Sequence, residues 1–179
     1  ETYDCFVFCA RDIKKVRLPN FIECILPYAL QDCKQLQDFE ISDESNLQEI
    51  GGFTFSNSSI NCIKIPSKVR VINRYAFYCS SLQRIEISNE SSLSIIGKES
   101  FQCSPLTCFS IPSNVTQIHY DAFRFCDNLQ IIEISEKSKM KCFKLLSSRC
   151  FGHFNGILMI PVSLKIDIKF FFRVLQLKQ

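Results

Sequence analysis

Short bursts of strict apolar and polar alternation recur along this chain and define its predicted elements. In Leu82-Gln83-Arg84-Ile85-Glu86-Ile87, Ile85 and Ile87 alternate with Arg84 and Glu86, the period-two mark of a half-buried strand. Such bursts stop at Pro66, Ser88 or Pro112, and a proline ends a strand because it cannot donate to the ladder. A second, shorter extended piece follows, Val69 to Ile72 or Leu93 to Ile96, and runs back across the far side. Then comes Tyr75-Ala76-Phe77 or Asp121-Ala122-Phe123, where the small residue permits close approach and the aromatic fills the interior.

The pattern is periodic. Ile65-Pro66-Ser67-Lys68-Val69-Arg70-Val71-Ile72, with Ala76-Phe77, Cys79 and Leu82 behind it, returns 46 residues later as Ile111-Pro112-Ser113-Asn114-Val115-Thr116-Gln117-Ile118, with Ala122-Phe123, Cys126 and Leu129. An earlier copy runs from Leu18-Pro19 through Ala29-Leu30 and Cys33 to Leu36, and a sister type lies between the copies, as in Ile87-Ser88, Leu93, Ile96-Gly97 and Phe101. The unit is therefore 22–24 residues. A single unit cannot bury its apolar face, whereas stacked units share a continuous core of Ile, Leu and Phe columns. The predicted fold is a repeat solenoid. It has a parallel β-sheet on one face and short extended, 3-10 or helical turns on the other. Residues 1–13 form a partial repeat and 14–157 the solenoid, whose last unit is degenerate. Residues 158–179 are a degenerate C-terminal repeat or cap.

The columns Ile-Pro-x-x-Val-x-x-Ile and Ala-Phe-x-x-Cys-x-x-Leu, seen without gaps from Ile111 to Leu129, resemble the BspA-like, Treponema-type leucine-rich repeat of bacterial and protozoan surface proteins. The resemblance runs from Cys5 to about Phe151. It departs at Asn57 in the cysteine slot, at an insertion after Phe143 and in the tail after Pro161. It implies a non-enzymatic protein-binding segment of a cell-surface or secreted protein, adhering to host cells, matrix proteins or other microbes.

Charge adds no partner. The 21 Lys and Arg against 18 Asp and Glu leave +3, too small and dispersed to favour nucleic acid or an anionic membrane. The uncharged stretch from Phe154 to Leu164 falls short of the roughly 18 apolar residues of a membrane span. The first residues lack the basic start and apolar core of a secretion signal. That lack, together with eleven cysteines, suits a reducing compartment at least as well as the exterior. An intracellular scaffold or regulatory leucine-rich-repeat module is thus the alternative to the surface reading.

The recurring cysteine slot is assigned to Cys9, Cys33, Cys79, Cys103 and Cys126. Four metal ligands must converge on one ion at about 2.3 Å, whereas equivalent positions in stacked units are about 4.8 Å apart. A ladder of free structural thiols is expected, with no metal site and no cofactor. Cys62 and Cys108 are expected on the solvent side of their strands, either as reactive thiols or as tolerated exposed ones. His119 and His153 lie in different units outside any nucleophile or metal motif, His119 as a surface turn residue. Gly51 and Gly97 recur at one repeat position as turn formers. No catalytic residue is assigned.

The solvent-facing strand positions form two columns. One reads Arg17, Glu40, Lys64, Glu86, Ser110, Glu133, and the other Lys15, Asp38, Cys62, Arg84, Cys108, Ile131. Alternating signs in neighbouring strands stabilise by about 0.2–1 kcal/mol per pair, which accounts for the charged end without a ligand. Broad solenoid faces also bind partners, and Arg84, Glu86, Cys108, Ser110, Ile131 and Glu133 are the partner-binding candidates, centred on the less charged end. Three glycosylation sequons begin at Asn57, Asn89 and Asn114. Asn57, in the cysteine slot, is expected to bond backbone inside the turn, which leaves Asn89 and Asn114 as the candidate sites.

Overall fold

The computed structural model describes residues 4–88, 90–139 and 156–161. Thirteen short strands and no helix occur among them: β1 (Cys5–Phe6), β2 (Lys15–Arg17), β3 (Cys24–Ile25), β4 (Asp38–Glu40), β5 (Glu49–Ile50), β6 (Cys62–Ile65), β7 (Val71–Ile72), β8 (Arg84–Ile87), β9 (Ile95–Ile96), β10 (Cys108–Ile111), β11 (Gln117–Ile118), β12 (Ile131–Ile134) and β13 (Ile157–Met159). All of their pairings are parallel. The chain therefore winds into the expected repeat solenoid, with two strands to each coil.

The two sides differ in an unexpected way. The two-residue strands of the back, anticipated as short extended, 3-10 or helical turns, join into one six-stranded sheet in the order β1-β3-β5-β7-β9-β11. The longer front strands divide into three groups, β2-β4, β6-β8 and β10-β12-β13. The backbone ladder thus closes at every coil on the back and opens at intervals on the front.

Alternation on each strand selects what is buried. In β6, β10 and β12 the first and third residues are exposed while the second and fourth are buried. On the back, Ile25, Ile50, Ile72, Ile96 and Ile118 stand in one register and are at most 2% exposed. Between the sheets, Phe55, Phe77, Phe101 and Phe123 form a stacked column with centroids 5.1, 5.3 and 5.3 Å apart. Phe39 meets Phe55 edge-on at 4.9 Å, and Phe109 meets Phe123 at 4.8 Å, arrangements that aromatic quadrupoles favour.

Each coil turns its corner through left-handed residues, none of them glycine. Tyr28, Phe53, Tyr75, Glu99 and Asp121 have φ of 53–66°, and Asp32, Asn57, Cys79, Cys103 and Phe125 of 49–60°. Gly51 and Gly97 do not have positive φ, which corrects their assignment as turn formers. A Cβ on Gly51 would stand 2.4 Å from the Ile25 carbonyl oxygen, and one on Gly97 would stand 2.6 Å from the Asn73 carbonyl carbon. Their absent side chains make room for the backbone of the previous coil.

The cysteine slot is also two columns rather than one. Backbone bonds from Asp32 to Ser56, Asn57 to Tyr78, Cys79 to Gln102 and Cys103 to Arg124 place Asp32, Asn57, Cys79, Cys103 and Phe125 at equivalent corners. Cys33 and Cys126 fall one residue later, at the buried position of Ser58, Ser80 and Ser104. Cys9 donates its amide to Ala29, which sets it beside Leu30 in the core column.

Candidate protein-binding face

The front sheet presents the two columns read from the sequence. Lys15, Val16 and Arg17 pair with Asp38, Phe39 and Glu40, and Cys62 to Ile65 pair with Arg84 to Ile87. Cys108, Phe109, Ser110 and Ile111 pair with Ile131, Ile132, Glu133 and Ile134. Of the candidate residues, Cys108, Ser110, Ile131 and Glu133 are thus brought side by side, whereas Arg84 and Glu86 lie across the gap in the ladder between β8 and β10.

The charged end neutralises itself less regularly than simple alternation predicts. Lys15 Nζ contacts Glu40 Oε1 at 2.6 Å and Asp38 Oδ2 at 3.8 Å. The Lys15 hydrogen bond holds the Glu40 carboxyl below its ordinary range. Lys64 reaches Asp43, in the loop after β4 of the preceding coil, at 2.7 Å instead of a strand neighbour, and Glu86 borders an open depression of about 420 Å³ beside it. Among the described residues, Arg17, Arg84 and Glu86 form no ion pair.

The opposite end is apolar, and it extends further than the sequence indicated. β13 adds to β12 with Ile131 beside Ile157 and Glu133 beside Met159. Ile131 is 39% exposed, Ile157 65% and Met159 51%, with the exposed Cys108 on the neighbouring strand. Ser110 donates to Glu133 Oε2 at 3.2 Å, so the acid at this end is partly engaged. These exposed apolar side chains are adjacent on one strand face, unlike the singly scattered ones that are ordinary on protein surfaces.

The other candidates separate by environment. His119 and Cys62 are exposed, as expected, and His153 and Asn89 lie outside the described residues. Asn114 is half-buried, and its Nδ2, the atom a glycan would occupy, donates to the Ser91 carbonyl at 2.7 Å. Asn57 is suited to its place by the tolerance of Asn for left-handed φ, and its side chain shows no hydrogen bond to the turn backbone, contrary to expectation. Among the described residues, no group of three or more His, Cys, Asp and Glu is placed to hold a metal ion.

One surface feature was missed. Tyr28, Phe53 and Tyr75 stack along the left-handed corners of successive coils, with centroids 5.1 and 4.5 Å apart. Lys98 stands over Tyr75 at 5.6 Å and over Tyr120 at 4.8 Å. Hydrogen bonds to Tyr120 and Glu99 raise the Lys98 pKa above the ordinary lysine value. An open groove of about 450 Å³ runs beside this stack past Arg74 and His119. The recurring aromatic one residue before Ala or Thr, in Tyr28-Ala29, Phe53-Thr54 and Tyr75-Ala76, was the available signal.

The profile of the BspA type leucine-rich repeat region matches residues 2–130 in six copies. The chain belongs to that family. Its BspA-type solenoid is similar to the T. pallidum leucine-rich repeat protein, with TM-score 0.73 and 22% identity over 90% of this chain and 77% of that one. It is also similar to the pneumococcal vaccine antigen PcpA, with TM-score 0.61 and 20% identity over 69% of this chain and 31% of that one. A leucine-rich cell surface protein of Faecalibacterium prausnitzii gives TM-score 0.51 and 23% identity over 71% of this chain and 40% of that one. The BspA-type chain thus spans less than half the length of the latter two. No curated protein matches its sequence. Leucine-rich repeats of this kind are protein-interaction modules and typically non-catalytic. No helix among the described residues is long and apolar enough to cross a membrane.

Proposed function

We propose that this solenoid is the non-enzymatic binding segment of a cell-surface or secreted protein, and that its partner is a protein of a host cell, of the matrix or of another microbe. The observation that carries the reading is the exposed apolar end of the front sheet, where Cys108, Ile131, Ile157 and Met159 stand on three paired strands. Removing such side chains from water on contact contributes about 25 cal/mol per Å² of apolar area. Family membership supports a protein partner, and the surface proteins among its structural neighbours support an exterior location.

The test is binding of the fluorescently labelled full chain to host cells, to matrix proteins and to other microbes. Replacing Ser110→Arg and Ile131→Glu together should abolish binding while leaving circular dichroism unchanged. Retained binding by the folded double variant would remove the assignment of this face.

A second reading has its own observation. Cys9, Cys24, Cys33, Cys62, Cys79, Cys103, Cys108 and Cys126 are free thiols, which suits a reducing compartment and an intracellular scaffold or regulatory module. Labelling of intact source cells separates the two.

A further inference from the structure

We propose that Cys79 and Cys103 form a two-thiolate clamp for a soft monovalent cation of the copper(I) class. They occupy the same corner of consecutive coils. The Cys79 amide donates to the Gln102 carbonyl at 2.9 Å and the Cys103 amide to the Arg124 carbonyl at 3.0 Å. Both residues are left-handed, with φ of 49° and 60°. Similar backbone conformation on neighbouring rungs makes their Cα–Cβ bonds nearly parallel and sets the residues about 4.8 Å apart.

That spacing exceeds the usual Cβ separation of a disulfide, about 3.8 Å, and two thiols cannot complete the four-ligand shell of zinc. Two thiols side by side on neighbouring rungs, which interact with each other, can both turn toward one ion. Thiolates are the ligands that select copper(I). The corner is open to solvent, with Cys103 exposed and Cys79 half-buried. Burial and the neighbouring Cys79 thiol push the Cys103 thiol up to about 11. On binding, each S–H bond breaks, each sulfur electron pair forms a bond to the cation, and two protons leave to solvent with no change of oxidation state.

Cys5 and Cys24 are a second pair on neighbouring rungs. The experiment is therefore read as a difference between variants. The reduced full chain is titrated anaerobically with copper(I) against a chromogenic copper(I) chelator. Wild type is compared with Cys79→Asn, Cys103→Asn and the control Cys108→Ser. Asn57 already occupies the same corner, with φ 56°, so the Asn variants suit the fold. Cys79→Ser and Cys103→Ser provide a second pair.

Loss of one chelating arm should weaken the tightest copper equivalent about a hundredfold or more in each Cys79 and Cys103 variant, and leave it unchanged in Cys108→Ser. X-ray absorption of the one-copper complex should give two sulfur neighbours, with two protons released on binding. Wild-type affinity in folded Cys79 and Cys103 variants would overturn the proposal. So would a first copper bound by three sulfurs or by nitrogen.

Discussion

Phe77 and Phe101, one coil apart, stack with their ring planes 3° from parallel and their centroids 5.3 Å apart. Rings repeated at one coil position in this way make the core a column instead of a globule. A defect in the column is felt by the coils on both sides, because each repeat buries its apolar face only against its neighbours.

Phe123 tests the column. It is 1% exposed, lies 5.3 Å from Phe101 and meets Phe109 edge-on at 4.8 Å. Phe123→Ala removes these contacts and leaves a cavity that flanking coils fill only in part. The expected loss is about 3–5 kcal/mol in urea unfolding. A loss below about 1 kcal/mol would mean that the ring does not support the stack.

Gly97 tests the close approach of coils. With the Asn73 carbonyl carbon 2.6 Å and the Arg74 nitrogen 2.7 Å from the place of a Cβ, Gly97→Ala must push backbone away from backbone. The expected cost is about 1–3 kcal/mol or more. Unchanged or raised stability, the usual result of replacing an unstrained glycine, would contradict the geometry.

Much of this was legible in the sequence. The 22–24-residue period and the front-strand alternation specified the coil, its interior and the register of Cys108, Ser110, Ile131 and Glu133, because side-chain direction in a strand is fixed by parity. Corners obey no such rule. Cys79 follows Phe77 by two residues while Cys126 follows Phe123 by three, and that one-residue offset separates a solvent-facing left-handed corner from a buried one. The apolar end was seen only in part, since Ile157 and Met159 join Ile131 and Glu133 through a pairing that comes after the sequence has lost the repeat pattern. The role of Gly51 and Gly97 was hidden too, because the atoms they avoid belong to the preceding coil.

Cys126 carries a pH prediction. Burial pushes its thiol from an ordinary value near 9 up to about 12, and its Sγ donates to the Phe101 carbonyl at 2.9 Å. The folded state therefore holds this proton after the unfolded chain has released it. The stabilisation is complete below about pH 9 and is lost as pH rises toward about 12. Cys126→Ser should fold normally at neutral pH, since Ser80 and Ser104 occupy the equivalent place and donate to the Phe77 carbonyl at 2.9 and 2.7 Å. Between pH 9 and 11 its stability should fall less steeply than that of wild type, as followed by urea midpoints. Parallel curves would show that the Cys126 thiol titrates alike in both states.

The surface-binding account is tested most directly by treating intact source cells with a membrane-impermeant amine reagent, then recovering the protein and measuring its label. The account predicts labelling on intact cells at a level close to that reached after lysis. Label acquired only after lysis would contradict it and would favour the intracellular scaffold.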